Sequence, residues 1–194
     1  MSELIGLTAS SNAAAHYQHI EVKPYTGSLG AEISGLDIRS ASDQALQEIR
    51  RASNDHQVVF IKDQQMDPSS LEAFVARWGE FGEERYVAGM DDHPHVVRLL
   101  KAADEKVPFV FGGAWHSDWS FMETPPAYTF LYAVDVPEFG GDTLFSNQYL
   151  VYDFLSAEMQ RICDSLIAIH SAKRGYGPDA SHNERIDFHH GGVE

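Results

Sequence analysis

The chain has 194 residues, 43% apolar and 22% charged, which is enough for one domain with a sizeable core and is unlike the composition of disordered chains. Fourteen basic against twenty-nine acidic residues give a formal charge of −15, which argues against nonspecific nucleic-acid or anionic-membrane binding. No apolar run reaches membrane-spanning length, no secretory signal pattern opens the chain, and the single Cys163 excludes an internal disulfide, so a soluble cytoplasmic protein is expected.

Residues 1–18, rich in Ser, Ala and Asn without a period, are expected to form a flexible leader, and order is expected from His19. His19-Ile20-Glu21-Val22 alternates polar and apolar, and Thr26-Gly27-Ser28-Leu29-Gly30 turns the chain into Ala31–Ile38, which predicts a hairpin with His19 and Glu21 on a solvated edge. Ser42 caps a helix running to about Asn54, with Leu46 and Ile49 facing inward. The continuous apolar run Gln57–Ile61 predicts a strand buried on both faces, hence central in its sheet. The best-bounded helix follows: Asp67 as N-cap, Pro68 at the first position, Leu71, Phe74, Val75 and Trp78 on one core stripe, and Gly79 as terminator.

Residues 80–90 read as a polar loop, and His93-Pro94-His95, beside Asp91 and Asp92, reads as a solvated turn. Strands are predicted over Val96–Leu100, Tyr128–Val134, Leu144-Phe145 and Ile167–His170, with a charged loop over 101–107 and a Gly140-Gly141 turn. Helical spacing marks 148–155 and 157–166, with Ser156 capping the second and Cys163 inside it as a buried small hydrophobe. The composition of 173–194 predicts a mobile loop or tail, which leaves 19–172 as the ordered domain. Strands outnumber helices and are joined more often by turns than by crossovers. That predicts an α+β or mainly β class: a β-sheet core with peripheral helices.

Chemistry concentrates in Trp115-His116-Ser117-Asp118-Trp119-Ser120-Phe121. In an extended strand His116 and Asp118 share a face, presenting an imidazole and a carboxylate side by side. They would supply two of the three ligands of a His₂-carboxylate face that leaves half of an octahedral ion open. The tripeptide alone is weak, since about one His-X-Asp match is expected by chance in a chain of this composition.

Two segments together carry more: Trp115–Phe121 continued by Met122-Glu123-Thr124-Pro125-Pro126, and Gly140-Gly141-Asp142-Thr143. In this order and separation they resemble the taurine and 2,4-dichlorophenoxyacetate dioxygenase family, Fe(II)- and 2-oxoglutarate-dependent oxygenases with a double-stranded β-helix, or jelly-roll, core. Gly30–Asp37, His56–Gln64 and Trp78-Gly79-Glu80-Phe81 add support, so the resemblance spans about residues 19–172. It implies that His116 and Asp118 are iron ligands, that Thr143 contacts the cosubstrate 2-oxoglutarate, and that Trp119 borders the substrate. A Thr hydroxyl can donate to a carboxylate without adding charge. The implied reaction uses O2, converts 2-oxoglutarate to succinate and hydroxylates a small organic acid.

Two positions depart from the taurine enzyme's pattern. Gly112 stands where that enzyme has a substrate-binding Asn, and Glu84 stands where it has a substrate-binding His. Losing both donors argues against taurine and leaves a bulkier, neutral or less strongly anionic organic acid open, among which the sequence does not choose. The family's distal His ligand and 2-oxoglutarate-anchoring Arg lie beyond the point reached at Glu194, so the chain is expected to be an N-terminal portion of a longer enzyme with an incomplete jelly roll. His170, His182, His189 and His190 remain as substitutes by type, with Arg174 or Arg185 for the dicarboxylate. The alternative is a catalytically inactive homologue, a metal-binding module or a homo-oligomer pairing through open sheet edges.

Overall fold

A computed structural model describes residues 12, 16–82, 86–102, 104 and 112–173. Nearly all of the expected leader and tail, together with Glu84, Arg174, His182, Arg185, His189 and His190, lies outside the described residues. The chain divides into two compact units: Met1–Gln65 with Asp135–Leu166, and Met66–Val134 with Ile167–Glu194.

In the first unit, β1 (Glu21–Pro24) and β2 (Ala31–Ser34) form the predicted antiparallel hairpin, with Val22 opposite Ile33. Thr26 organises the turn, its Oγ1 donating to the Leu29 carbonyl at 2.6 Å and accepting the Leu29 N–H at 3.2 Å. Gly30 closes it at φ +84°, a left-handed conformation that a Cβ disfavours. From β2 the chain makes a short 3-10 turn, Ile38–Ser40, then enters α1 (Asp43–His56). Ser42 caps α1 as expected, its Oγ accepting the Ala45 N–H at 3.1 Å. The helix is the crossover that lets β3 (Val59–Ile61) return parallel to β2. Ala45, Leu46, Ile49, Ala52 and His56 of α1, with Ala31 and Ile33 of β2, form the buried core of this unit.

The sheet order is β1-β2-β3, so among the described residues β3 lies at an edge, and it is only half-buried, where a central, doubly covered strand is expected. Its apolar side chains are satisfied by aromatic packing instead of a second neighbouring strand. Phe60 meets Tyr25 at 5.5 Å and Phe145 at 6.3 Å between ring centroids. Two helices complete the unit: α3 (Gln148–Asp153), capped by Asn147, and α4 (Ala157–Asp164), capped by Ser156 as predicted. Asn147 also donates to the Ser28 carbonyl at 2.7 Å, tying α3 to the hairpin turn. Cys163 is half-buried, not buried, because no residue of the amphipathic α4 is fully covered.

The second unit is built on α2 (Pro68–Ala76), which has the predicted N-cap. The Asp67 carboxylate accepts the Ser70 N–H at 2.8 Å, and Ser70 Oγ accepts the Asp67 N–H at 2.8 Å, a reciprocal capping box. Phe74 is its buried centre, edge-on to Trp78 and Phe130. The His93-Pro94-His95 turn is not simply solvated: His93 Nδ1 donates to Glu72 at 2.7 Å, and the His95 ring stacks on Phe81 at 4.1 Å. That bond holds the Glu72 carboxyl below its usual range, against the opposing effect of burial. Gly89 is required here, since a Cβ would fall 2.1 Å from the Pro94 carbonyl oxygen.

Among the described residues the three strands are the only ladder, apart from a Met90–His93 bridge. The strands expected over Val96–Leu100, Tyr128–Val134, Leu144-Phe145 and Ile167–His170 are unpaired. Several of their β-prone side chains stand exposed, Leu131 at 74%, Ile167 at 91% and Ile169 at 92%, while Val96, Val97, Tyr128, Phe130 and Tyr132 are half-buried. The jelly roll is thus not formed by the described residues, and no described helix is long and apolar enough to cross a membrane.

Candidate metal centre

The His116–Asp118 segment lies in the second unit. It carries no strand pairing, and a turn spans Asp118–Phe121, closed by the Met122 N–H donating to the Trp119 carbonyl at 2.9 Å. Strand alternation therefore does not bring the two side chains together, as the sequence had suggested; the loop does. Trp119 adopts φ +49°, an uncommon conformation for a bulky residue and one that concentrates at functional sites. Gly112 precedes the pair at φ +70°, and a Cβ there would lie 3.4 Å from His116 Cε1, so this glycine abuts the imidazole.

His116 Nε2 and Asp118 Oδ1 are 3.0 Å apart. The other atom of each side chain is engaged. His116 Nδ1 lies 2.7 Å from the Ala114 carbonyl, an acceptor only, so Nδ1 carries the proton and a neutral ring keeps its lone pair on Nε2. Asp118 Oδ2 accepts from Thr129 Oγ1 at 2.8 Å. In that tautomer Nε2 and Oδ1 point two lone pairs at each other, a contact that becomes favourable only with a cation between them: a proton on Nε2, or a metal ion. Two adjacent ligands on an octahedral first-row ion, each about 2.1 Å from it at right angles, sit about 3.0 Å apart. The donor set and the separation both fit such an ion. Both side chains are accessible, 52% and 43% exposed.

Aromatic residues follow the pair in the chain. Trp119 stacks on Tyr86 at 6.1 Å and meets Phe121 edge-on at 5.4 Å, while Tyr86 meets Phe121 at 5.6 Å. His170 Nδ1 reaches Ser120 Oγ at 2.8 Å and is spent on that bond. No cluster of three or more His, Cys, Asp or Glu suited to a metal occurs among the described residues. Thr143 belongs to the first unit, exposed in the run after Gly140 and Gly141, which adopt φ +82° and +72°. Sequence reasoning missed Thr129, Tyr86 and the Ala114 carbonyl. Thr129 alone left a trace, as the polar member of an aromatic alternation.

Residues 21–192 match the model of the taurine catabolism dioxygenase TauD, TfdA family. The chain belongs to this family. It is 31% identical over 170 residues to the alpha-ketoglutarate-dependent sulfate ester dioxygenase of Pseudomonas putida, covering 87% of this chain and 55% of that protein. It is 30% identical over 164 residues to the alpha-ketoglutarate-dependent sulfonate dioxygenase of Saccharomyces cerevisiae, covering 79% and 40%. The solved taurine dioxygenase of Burkholderia xenovorans superposes with a TM-score of 0.58 at 28% identity, covering 76% of this chain and 52% of that one. The chain spans about half the length of the curated TauD/TfdA relatives it matches.

Proposed function

We propose that this TauD/TfdA chain forms the iron- and 2-oxoglutarate-binding part of a dioxygenase that hydroxylates a small organic acid. The observation that carries the reading is the His116–Asp118 pair, whose Nε2 and Oδ1 stand at adjacent-ligand separation with their other atoms tied down. Iron(II), when bound, supplies the activation of O2 and the coupled decarboxylation of 2-oxoglutarate to succinate. The protein's own tasks are to fix the ligands, orient the substrate and exclude water. Thr143 would donate its hydroxyl to a 2-oxoglutarate carboxylate, and the third metal ligand would come from outside the described residues. The exposed apolar runs around Leu131 and Ile169 have the composition of strands in the family's double-stranded β-helix.

The names of the relatives, a sulfate ester and a sulfonate dioxygenase, favour a substrate of that acid class. Tyr86, Trp119 and Phe121 favour an apolar body on it, and Gly112 offers no side-chain donor, which disfavours taurine itself. A second reading, an inactive metal-binding module, draws on the lack of a third ligand among the described residues. Anaerobic addition of Fe(II) and 2-oxoglutarate separates the readings. A visible charge-transfer band that His116→Ala abolishes supports the dioxygenase, and its absence from the unaltered chain rejects formation of the metal–2-oxoglutarate chelate.

A further inference from the structure

We infer that Thr129 is a positioning residue for Asp118, mounted on α2 so that its hydroxyl fixes which carboxylate oxygen faces the metal. The inference rests on the proposed role of His116 and Asp118 as ligands. A carboxylate rotates about a broad, two-fold torsion, and the Asp118 side chain is 43% exposed, so packing alone does not choose its orientation. Left free, it can offer both oxygens to an ion and occupy a coordination position that the reaction needs open. The Thr129 hydroxyl engages Oδ2 at 2.8 Å and leaves Oδ1 toward His116 Nε2.

Thr129 can do this because of what its neighbours do. Over 128–133 burial alternates, with Tyr128, Phe130 and Tyr132 half-buried and Thr129, Leu131 and Ala133 exposed. The inward set is clamped to α2 and the residues flanking it. Tyr128 and Phe130 lie 4.8 and 4.9 Å from the Trp78 ring, Phe130 lies 6.0 Å from Phe74, and the Met66 N–H donates to the Tyr132 hydroxyl at 3.2 Å. Thr129 therefore stands between two anchored aromatics on the opposite face, a rigid mount of the kind a preorganised site requires. The Ala114 carbonyl plays the matching part for His116, fixing its ring by a bond to Nδ1. A hydroxyl suits the task since it donates without adding charge or competing as a strong ligand.

The test is Co(II) titration of the whole 194-residue chain, read by visible d–d absorption, with thermal melting of each variant. Thr129→Val should weaken Co(II) binding about tenfold, the lower end for loss of a partner behind a ligand, and change the band shape while the melt is unchanged. Thr129→Ser should restore both affinity and band. Thr129→Ala is the second hydroxyl-free variant and should behave as Thr129→Val does, which keeps the test valid if either one misfolds. Unaltered affinity in both hydroxyl-free variants, with His116→Ala binding nothing, would overturn the role of Thr129 and leave the ligand pair standing. No Co(II) binding by the unaltered chain, or equal binding by His116→Ala, would remove the ligand reading and this inference with it.

Discussion

Replacing Phe74 with Ala should destabilise the second unit by about 3–5 kcal/mol. Phe74 is 5% exposed and meets Trp78 at 6.1 Å and Phe130 at 6.0 Å, both edge-on. Burying a side chain of this size contributes about 1.5–3 kcal/mol, and each edge-on aromatic pair adds about 0.5–1.5 kcal/mol. Together these bracket the loss expected from a cavity at the centre of α2. Urea denaturation followed by tryptophan fluorescence isolates the effect, because Trp78, Trp115 and Trp119 all belong to the second unit. Circular dichroism weights the first unit, which holds α1, α3 and α4. The fluorescence midpoint should therefore fall further than the dichroism midpoint. Phe74→Leu, which keeps most of the volume, should cost under about 1.5 kcal/mol. A fluorescence-detected loss below about 1 kcal/mol for the Ala variant would refute the placement of Phe74 at the heart of this core.

Two further predictions concern the first unit. Asn147 is 8% exposed; its side-chain oxygen accepts the Leu150 N–H at 3.1 Å while its nitrogen donates to the Ser28 carbonyl at 2.7 Å. Asn147→Ala should cost about 1–3 kcal/mol, and Asn147→Asp, which keeps the cap but sets a carboxylate against a carbonyl, should also destabilise; an Asp variant as stable as the unaltered chain would rule out the tether. His56 is 1% exposed, and burial holds its imidazole below the ordinary 6.5, with Asp55 opposing. Its Nδ1 donates to Asn12, and its Nε2 is buried without a hydrogen-bond partner among the described residues. The unfolded chain then takes up the proton first, so stability should decline as pH falls below 6.5 and level off below the folded-state value. The Glu72, Asp37, Glu48 and Asp67 carboxyls, all lowered, act at more acid pH. Thermal melts between about pH 5 and 7.5 should show the decline, and His56→Gln showing the same profile would refute the assignment.

What was legible in the sequence was local. Ser42, Asp67 and Ser156 cap helices because each carries its own acceptor within reach of a backbone N–H two or three residues on, and the Thr26–Gly30 turn holds its own hydrogen bonds. What was not legible depended on partners. Val96–Leu100 and Ile167–His170 have the composition of strands, yet β-propensity reflects fit to a neighbouring pleated surface, and the described residues give them none. The continuous apolar run around Phe60 implied two sheet neighbours, and aromatic contacts to Tyr25 and Phe145 took the place of one. The solvated reading of His93 failed similarly, because Glu72, its partner, is distant in sequence.

The His116–Asp118 pair shows how two side chains can meet by a geometry other than the one their spacing suggests. Alternation along a strand was the reason to join His116 with Asp118, but Trp119 at φ +49° bends the chain into a turn directly after the carboxylate. The side chains still meet, since a separation of two residues is short enough for a loop to close once something holds each end. Here the holding is done by the Ala114 carbonyl on His116 and the Thr129 hydroxyl on Asp118. Their combined effect is to keep Nε2 and Oδ1 facing each other at 3.0 Å, a contact made favourable by a cation between them, whether a proton or a metal ion. Such preorganisation draws on the stability of the surrounding unit, and Thr129 connects to it through Tyr128, Phe130, Trp78 and Phe74. The stripe on α2, read from the sequence as ordinary core, thereby also supports the site proposed at His116 and Asp118.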